Sequence, residues 1–224
     1  MVLTSHDELG DTGNKTGFWL EEFAAPYYVF RDAGLDVTLA SPAGGQPPLD
    51  PSSDEEDAQT DATARFKSDE ETQEALANTK RLDQIDPSDH DAVFFPGGHG
   101  PMWDLAENDT VAALLVNFFE RDRPVGAVCH GPAVFNSLSK SDAKRFLGDK
   151  TLTGFTNTEE AAVGLTDVVP FSLADRLRKR SASFEHGKNW EPFVIMDNNL
   201  VTGQNPASST PAAEALLEKL GVNV

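Results

Sequence analysis

Short apolar runs alternate with amphipathic stretches along most of this chain. Residues 2–4, 35–40, 91–96, 124–128 and 151–155 read as strands. Between them, 16–33 carries Phe18, Trp19, Phe23, Tyr27 and Phe30 along a helical segment that Gly34 can close. Val111, Leu114, Leu115, Phe118 and Phe119 form a second apolar helical face. A third comes from Ala213, Leu216, Leu217 and Leu220, in a helix expected to start near Thr210-Pro211 and stop at Gly221. Residues 132–138 begin a helix after the 124–128 strand, and 158–180 hold a helix with connections. Residues 193–196 and 200–202 read as a hairpin around Asp197-Asn198-Asn199. This alternation predicts one α/β domain over 1–224 with a largely parallel sheet. Residues 46–89 break the pattern. They open Pro-rich, carry Asp/Glu runs, and read as a polar cap or insertion, with 69–82 as a helix whose weak apolar face is Leu76 and Leu82.

Composition narrows the setting. A chain with one cysteine forms no internal disulfide, no apolar run approaches the length of a membrane span, and the first residues lack a basic and apolar leader. A reducing cytoplasm is the expected location. Acidic residues number 37 against 18 Lys plus Arg, for a formal net charge of −19, which argues against nucleic acid as a partner. The acids are spread along the chain rather than gathered on one segment. Two readings compete, an acidic face for a basic partner and a surface adapted to high salt; spread acidity favours the second, a halophilic source.

The chemistry centres on Cys129. It ends the apolar run Pro124-Val125-Gly126-Ala127-Val128 and is followed by His130-Gly131-Pro132, a strand, a sharp turn and a helix start. Unpaired amides at a helix N-terminus favour an anion and can lower a thiol pKa. His130 is a candidate proton partner. Gly97-Gly98-His99-Gly100 follows a strand, at the sheet edge where open α/β folds bind ligands, and its small residues let amides approach a substrate oxygen. Glu21 and Glu22 lie in an otherwise apolar helical segment, where only one can face a given pocket; a buried carboxyl there would serve as general acid or base. Glu159 or Glu160 could orient a histidine, and Asn205 or Ser208 could line the pocket. The five histidines lack metal-ligand spacing, so no metal or other cofactor is expected.

Six segments, in order, together resemble the ThiJ/PfpI superfamily in its heat-shock-inducible, glyoxalase III-like branch. They are Thr16-Gly17…Glu22…Pro26, Ala40-Ser41-Pro42…Gly45…Pro48, Phe95-Pro96-Gly97-Gly98-His99-Gly100, Ala127-Val128-Cys129-His130-Gly131-Pro132-Ala133, Thr153-Gly154-Phe155-Thr156, and Val201-Thr202-Gly203…Asn205-Pro206-Ala207-Ser208. The resemblance implies a flavodoxin-like three-layer α/β sandwich with a nucleophile elbow, and a homodimer. It implies Cys129 as nucleophile, His130 as its partner, Glu160 as the triad carboxylate and Glu22 as the glutamate at the thiol, with Gly98, His99 and His130 binding substrate or its oxyanion. Two features depart from the family pattern: the first strand begins almost at Met1, and the 46–89 stretch is less apolar than a lid packed on a pocket.

The activity so implied is a cofactor-free conversion of a small 2-oxoaldehyde, methylglyoxal, to lactate, with protection against protein or glycation stress as an accompaniment. The alternatives are a holdase chaperone, a redox sensor at the same thiol, and a cysteine peptidase or amidase. A related glutamine amidotransferase would need a downstream His-x-Glu pair, but His186 is followed by Gly187 and Lys188.

Overall fold

The computed structural model describes residues 1–222. Helix α1 (Leu20–Asp32) is followed by β1 (Ala40–Ser41), α2 (Asp61–Ser68), α3 (Glu70–Ala77), β2 (Lys80–Arg81) and β3 (Val93–Phe95). Next come α4 (Pro101–Asp104), α5 (Asp109–Glu120), β4 (Val125–Val128), α6 (Lys140–Phe146), β5 (Thr151–Leu152), α7 (Asn157–Ala162) and α8 (Leu173–Arg178). The chain closes with β6 (Ser183–Phe184), β7 (Val194–Asp197), β8 (Leu200–Gly203) and α9 (Ser209–Lys219).

Strands β3, β4 and β8 run parallel in that order, and β7 pairs antiparallel with β8 at the edge. The first residues extend this sheet: Val2 N–H donates to Phe94 O and Leu3 N–H to Ala40 O, so they lie between β3 and the parallel pair β1–β2. Helices α1 and α9 pack together, with α9 on β4 and β8; α5 packs with the 3₁₀ segment Gly131–Ser137. The result is a flavodoxin-like α/β sandwich with a mostly parallel sheet. Its strands β3 and β4 are buried on both faces, as their uninterrupted apolar sequences require.

Several boundaries differ from the pattern-based expectation, each for a local reason. Helix α1 starts at Leu20 rather than 16, because 16–19 is extended: Phe18 N–H donates to Pro48 O and Trp19 N–H to Gly97 O. The segment after Cys129 is a 3₁₀ helix, not an α-helix. Helix α3 ends at Ala77, so it does not reach Leu82; the chain turns at Asn78 and continues into β2. The 46–89 stretch is therefore more than a polar excursion. It supplies the edge strand β2, and α2 lies on α1, with Leu76 and Phe66 joining a cluster with Phe18, Phe23, Tyr27 and Tyr28. Strand β5 is only two residues long and pairs with β6, outside the main sheet.

Candidate active site

Cys129 follows β4 at a left-handed backbone, φ +59°, which non-glycine residues rarely adopt. The turn is held from both sides. Cys129 N–H donates to Gly203 O at 3.0 Å, and Phe155 N–H donates to Cys129 O at 2.9 Å. The neighbouring Gly97-Gly98 turn comes so close that only glycine fits. A Cβ at Gly97 would lie 2.6 Å from Glu22 Oε2 and 2.7 Å from His130 N, and Gly98 adopts φ +83° with Gly17 and Trp19 backbone against it. Among the described residues, the amides of Gly98 and His130 donate to no backbone or side-chain oxygen, and the His130 amide faces the Cys129 sulfur.

Two carboxyls approach this elbow from opposite elements. Glu22, in the first turn of α1, is fully buried. Its Oε2 accepts the Gly97 N–H at 2.7 Å, and its Oε1 has no hydrogen-bond partner among the described residues. Burial pushes its pKa up to about 8, and the Cys129 thiol and Gly97 amide only partly offset this. Glu21 points elsewhere, toward Thr60 of the 46–89 stretch. The extended 16–19 segment sets this choice, since it decides where the helix begins.

Glu160, in α7, accepts hydrogen bonds at both oxygens: from His130 Nε2 to Oε2 at 2.7 Å and from His99 Nε2 to Oε1 at 2.7 Å. Burial alone would raise its pKa, but the charges and hydrogen bonds of His130 and His99 outweigh that and hold it well below the usual carboxylate range. An ionised Glu160 only accepts, so both Nε2 atoms carry hydrogens. Neutral His130 then turns a bare Nδ1 to the thiol, 3.4 Å from Sγ. Glu159 faces a different network. It is fully buried and accepts from Thr156, Gln204 and Asn205 side chains and the Trp190 and Thr156 amides.

The thiol does not have the lowered pKa that a helix N-terminus would give. Burial pushes it well above its ordinary value, and the negative charge of Glu22 pushes in the same direction. Burial and then His99 also lower the His130 pKa, against the pull of Glu160. The resting site is therefore a protonated thiol, a neutral imidazole, an ionised Glu160 and, at neutral pH, a largely protonated Glu22.

The structure brings Cys129, His130, Glu22, Glu160, Gly98 and His99 into one buried cluster. The His99 ring is engaged with Glu160 and lies 4.1 Å from the His130 ring, rather than being free for a substrate oxygen. Asn205 and Ser208 hold the 193–208 backbone and Glu159 instead of lining the thiol site. Phe155 against His130, centroids 4.4 Å apart, and Gln204 on Glu159 were not singled out by sequence pattern; nothing in their spacing marks them. His99, His130 and Glu160 offer three potential metal-ligand atoms within 4.8 Å of one another, although both Nε2 atoms are occupied by Glu160. A cavity of about 490 Å³ lies at the start of β3 beside Val2, Phe30 and His90, and is lined by none of these residues. No helix among the described residues is long and apolar enough to cross a membrane.

A model of the DJ-1/PfpI family matches residues 15–219. Glyoxalase 3 of Candida albicans is 30% identical over 231 residues, covering 100% of this chain and 98% of that protein. The crystal structure of glyoxalase III from the same organism covers 97% of this chain and 95% of its own, with a TM-score of 0.88. The glutathione-independent glyoxalase HSP31 of Saccharomyces cerevisiae is 28% identical, over 98% of this chain and 96% of that protein. The Rapid Encystment Protein 24 KDa of Francisella tularensis has a solved structure with 37% identity and a TM-score of 0.91, over 98% of this chain and 97% of that one.

Proposed function

The chain belongs to the DJ-1/PfpI family, and we propose that it is a glutathione-independent glyoxalase that converts methylglyoxal and water to lactate without a cofactor. The observation that carries this reading is the buried Glu22 carboxyl at the buried thiol, with Oε1 unpartnered and a pKa near neutrality. A group that must both give and take a proton works best when its pKa lies near the working pH. The curated glyoxalase relatives, matched over nearly their full length, support the same activity.

In this mechanism Cys129 adds to the aldehyde carbon, and its proton passes to His130 Nδ1 and on to the new oxygen. The Gly98 and His130 amides stabilise the oxyanion as it develops. Glu22 donates to the adjacent carbonyl oxygen and accepts the hydrogen of the former aldehyde carbon, giving an enediol. It then returns a proton to the other carbon and recovers one from the hydroxyl, leaving a lactyl thioester on Cys129. Water hydrolyses the thioester, which releases lactate and restores the thiol. Glu160 keeps His130 in the tautomer that accepts from sulfur.

The test is lactate formation from methylglyoxal without glutathione, at low and at molar salt. Wild type is expected to turn over, with Cys129→Ala inactive and Glu22→Gln reduced by about 10²-fold or more. A folded wild type without turnover at either salt would overturn the reading. We further propose that the protein is a cytoplasmic homodimer, checked by sizing in solution.

A further inference from the structure

We propose that His99 is a positioning residue. By donating to one oxygen of Glu160 it limits the pull of that carboxylate on His130, so that His130 rests neutral with its Nδ1 free to receive the thiol proton. This rests on the reading of Cys129, His130 and Glu160 as one proton-transfer unit, and its main test needs no turnover.

The geometry carries the argument. Glu160 is buried and has two acceptor oxygens, each 2.7 Å from a histidine Nε2. His99 comes from the glycine turn after β3, His130 from the elbow after β4, and Glu160 from α7, so three separate elements meet at one carboxylate. The two imidazoles lie with centroids 4.1 Å apart, and Phe155 closes on both. A buried carboxylate with a single imidazole partner favours the imidazolium, and so favours moving the thiol proton to His130 before substrate arrives. A second donor divides the carboxylate charge, and a second imidazole beside the first penalises two positive charges. The other ionisable groups around His130 are Cys129 from the elbow, Glu159 from α7, and Glu22 reaching the thiol from α1. Of these, Glu159, like Glu160, favours a charged His130, while Glu22 is protonated in the range where an imidazole titrates; apart from burial itself, His99 is the group opposing the charge.

The protein has one cysteine, so alkylation by iodoacetamide reports on Cys129 alone. The rate is measured against pH in wild type, His99→Phe, His99→Ala and His99→Gln. Phe and Ala lack a donor, while Gln retains one. The alkylation midpoint should fall by about half a pH unit in the Phe and Ala variants, with roughly threefold faster alkylation near pH 7, and stay at the wild-type value in the Gln variant. Unchanged midpoints in folded Phe and Ala variants would overturn the proposal, as would an equal shift in all three. The unmutated protein gives a second test. Nitrogen-15 NMR of its labelled histidines should show hydrogen on Nε2 of both His99 and His130 at neutral pH; a bare Nε2 on His99 overturns the proposal even if every variant fails to fold. Lack of methylglyoxal turnover affects neither measurement.

Discussion

The two sides of the elbow hold the same chemical group in opposite states. On the α1 side, Glu22 has one amide donor, the Cys129 thiol beside it, an oxygen without a partner among the described residues, and no exposure to water. On the α7 side, Glu160 has a histidine on each oxygen, and its neighbour Glu159 is surrounded by amide and hydroxyl donors. Glu22 and Glu160 are both buried yet shifted in opposite directions, so burial alone does not decide ionisation; the number and charge of the donors do. The side short of donors holds a proton near neutral pH and can move it. The side rich in donors holds a charge and keeps an imidazole in place.

The largest expected effect comes from removing the mobile proton. Glu22→Gln keeps the shape but cannot exchange protons, and lactate formation should fall by about 10²-fold or more, whereas Glu21→Gln should stay within a few-fold of wild type. Equal losses in both variants would mean that the two glutamates are not divided as their burial implies. Stability should show the opposite ranking. Glu159→Ala removes the acceptor shared by the Gln204 and Asn205 side chains and the Trp190 amide, leaving Gln204 and Asn205 only their backbone partners, and should cost about 3 kcal/mol, read as a lower urea midpoint at unchanged slope.

Stability against pH sharpens the contrast, because the two sides slope in opposite directions. Glu22 has a folded-state pKa of about 8 against an ordinary 4.5, so the folded state binds its proton more tightly than the unfolded one. Its contribution is full below the ordinary carboxyl value and is lost as pH rises toward 8. Glu160 has a depressed folded-state pKa, so its contribution is present above the ordinary value and lost as pH falls below it. Glu22→Gln should therefore flatten the alkaline-side decline, which is on the order of a few kcal/mol, and leave the acid side unchanged. Glu160→Gln should do the reverse. Urea midpoints from about pH 2 to about pH 9 test both, and a Glu22→Gln profile parallel to wild type would contradict the desolvated carboxyl.

This contrast also explains what could be read from the sequence. The α/β alternation, the strand before Cys129 and the hairpin around Asn198 follow from apolar spacing and turn residues, and these local signals survive in the fold. The choice between Glu21 and Glu22 is not legible in the apolar pattern; only the family resemblance points to Glu22. That choice depends on the first turn of α1, which is fixed by contacts of Phe18 and Trp19 with Pro48 and Gly97, remote in sequence. The direction of the thiol pKa is not legible for a related reason. A short 3₁₀ segment follows the cysteine, and burial beside Glu22, a tertiary effect, dominates it. The engagement of His99 with Glu160 is likewise a meeting of two distant segments, and the glycines around His99 pointed only to a close-approach turn.

The smallest effect concerns the surface, where charge behaves unlike either side of the elbow. A net charge of −19 leaves acids in excess, and pairs such as Lys15–Asp7 and Lys188–Glu191 are well exposed. Raising salt from about 0.1 M to about 1 M shortens the screening length from about 10 Å to about 3 Å, which relieves repulsion among exposed acids and barely reaches buried groups. The melting temperature should rise by several degrees over that range, while the pH midpoint of Cys129 alkylation stays fixed. A melting temperature indifferent to salt would remove the case for a surface adapted to high salt. A midpoint that moved with salt would mean the elbow is more open to solvent than its burial implies, and the distinction between the two carboxyl sides would narrow accordingly.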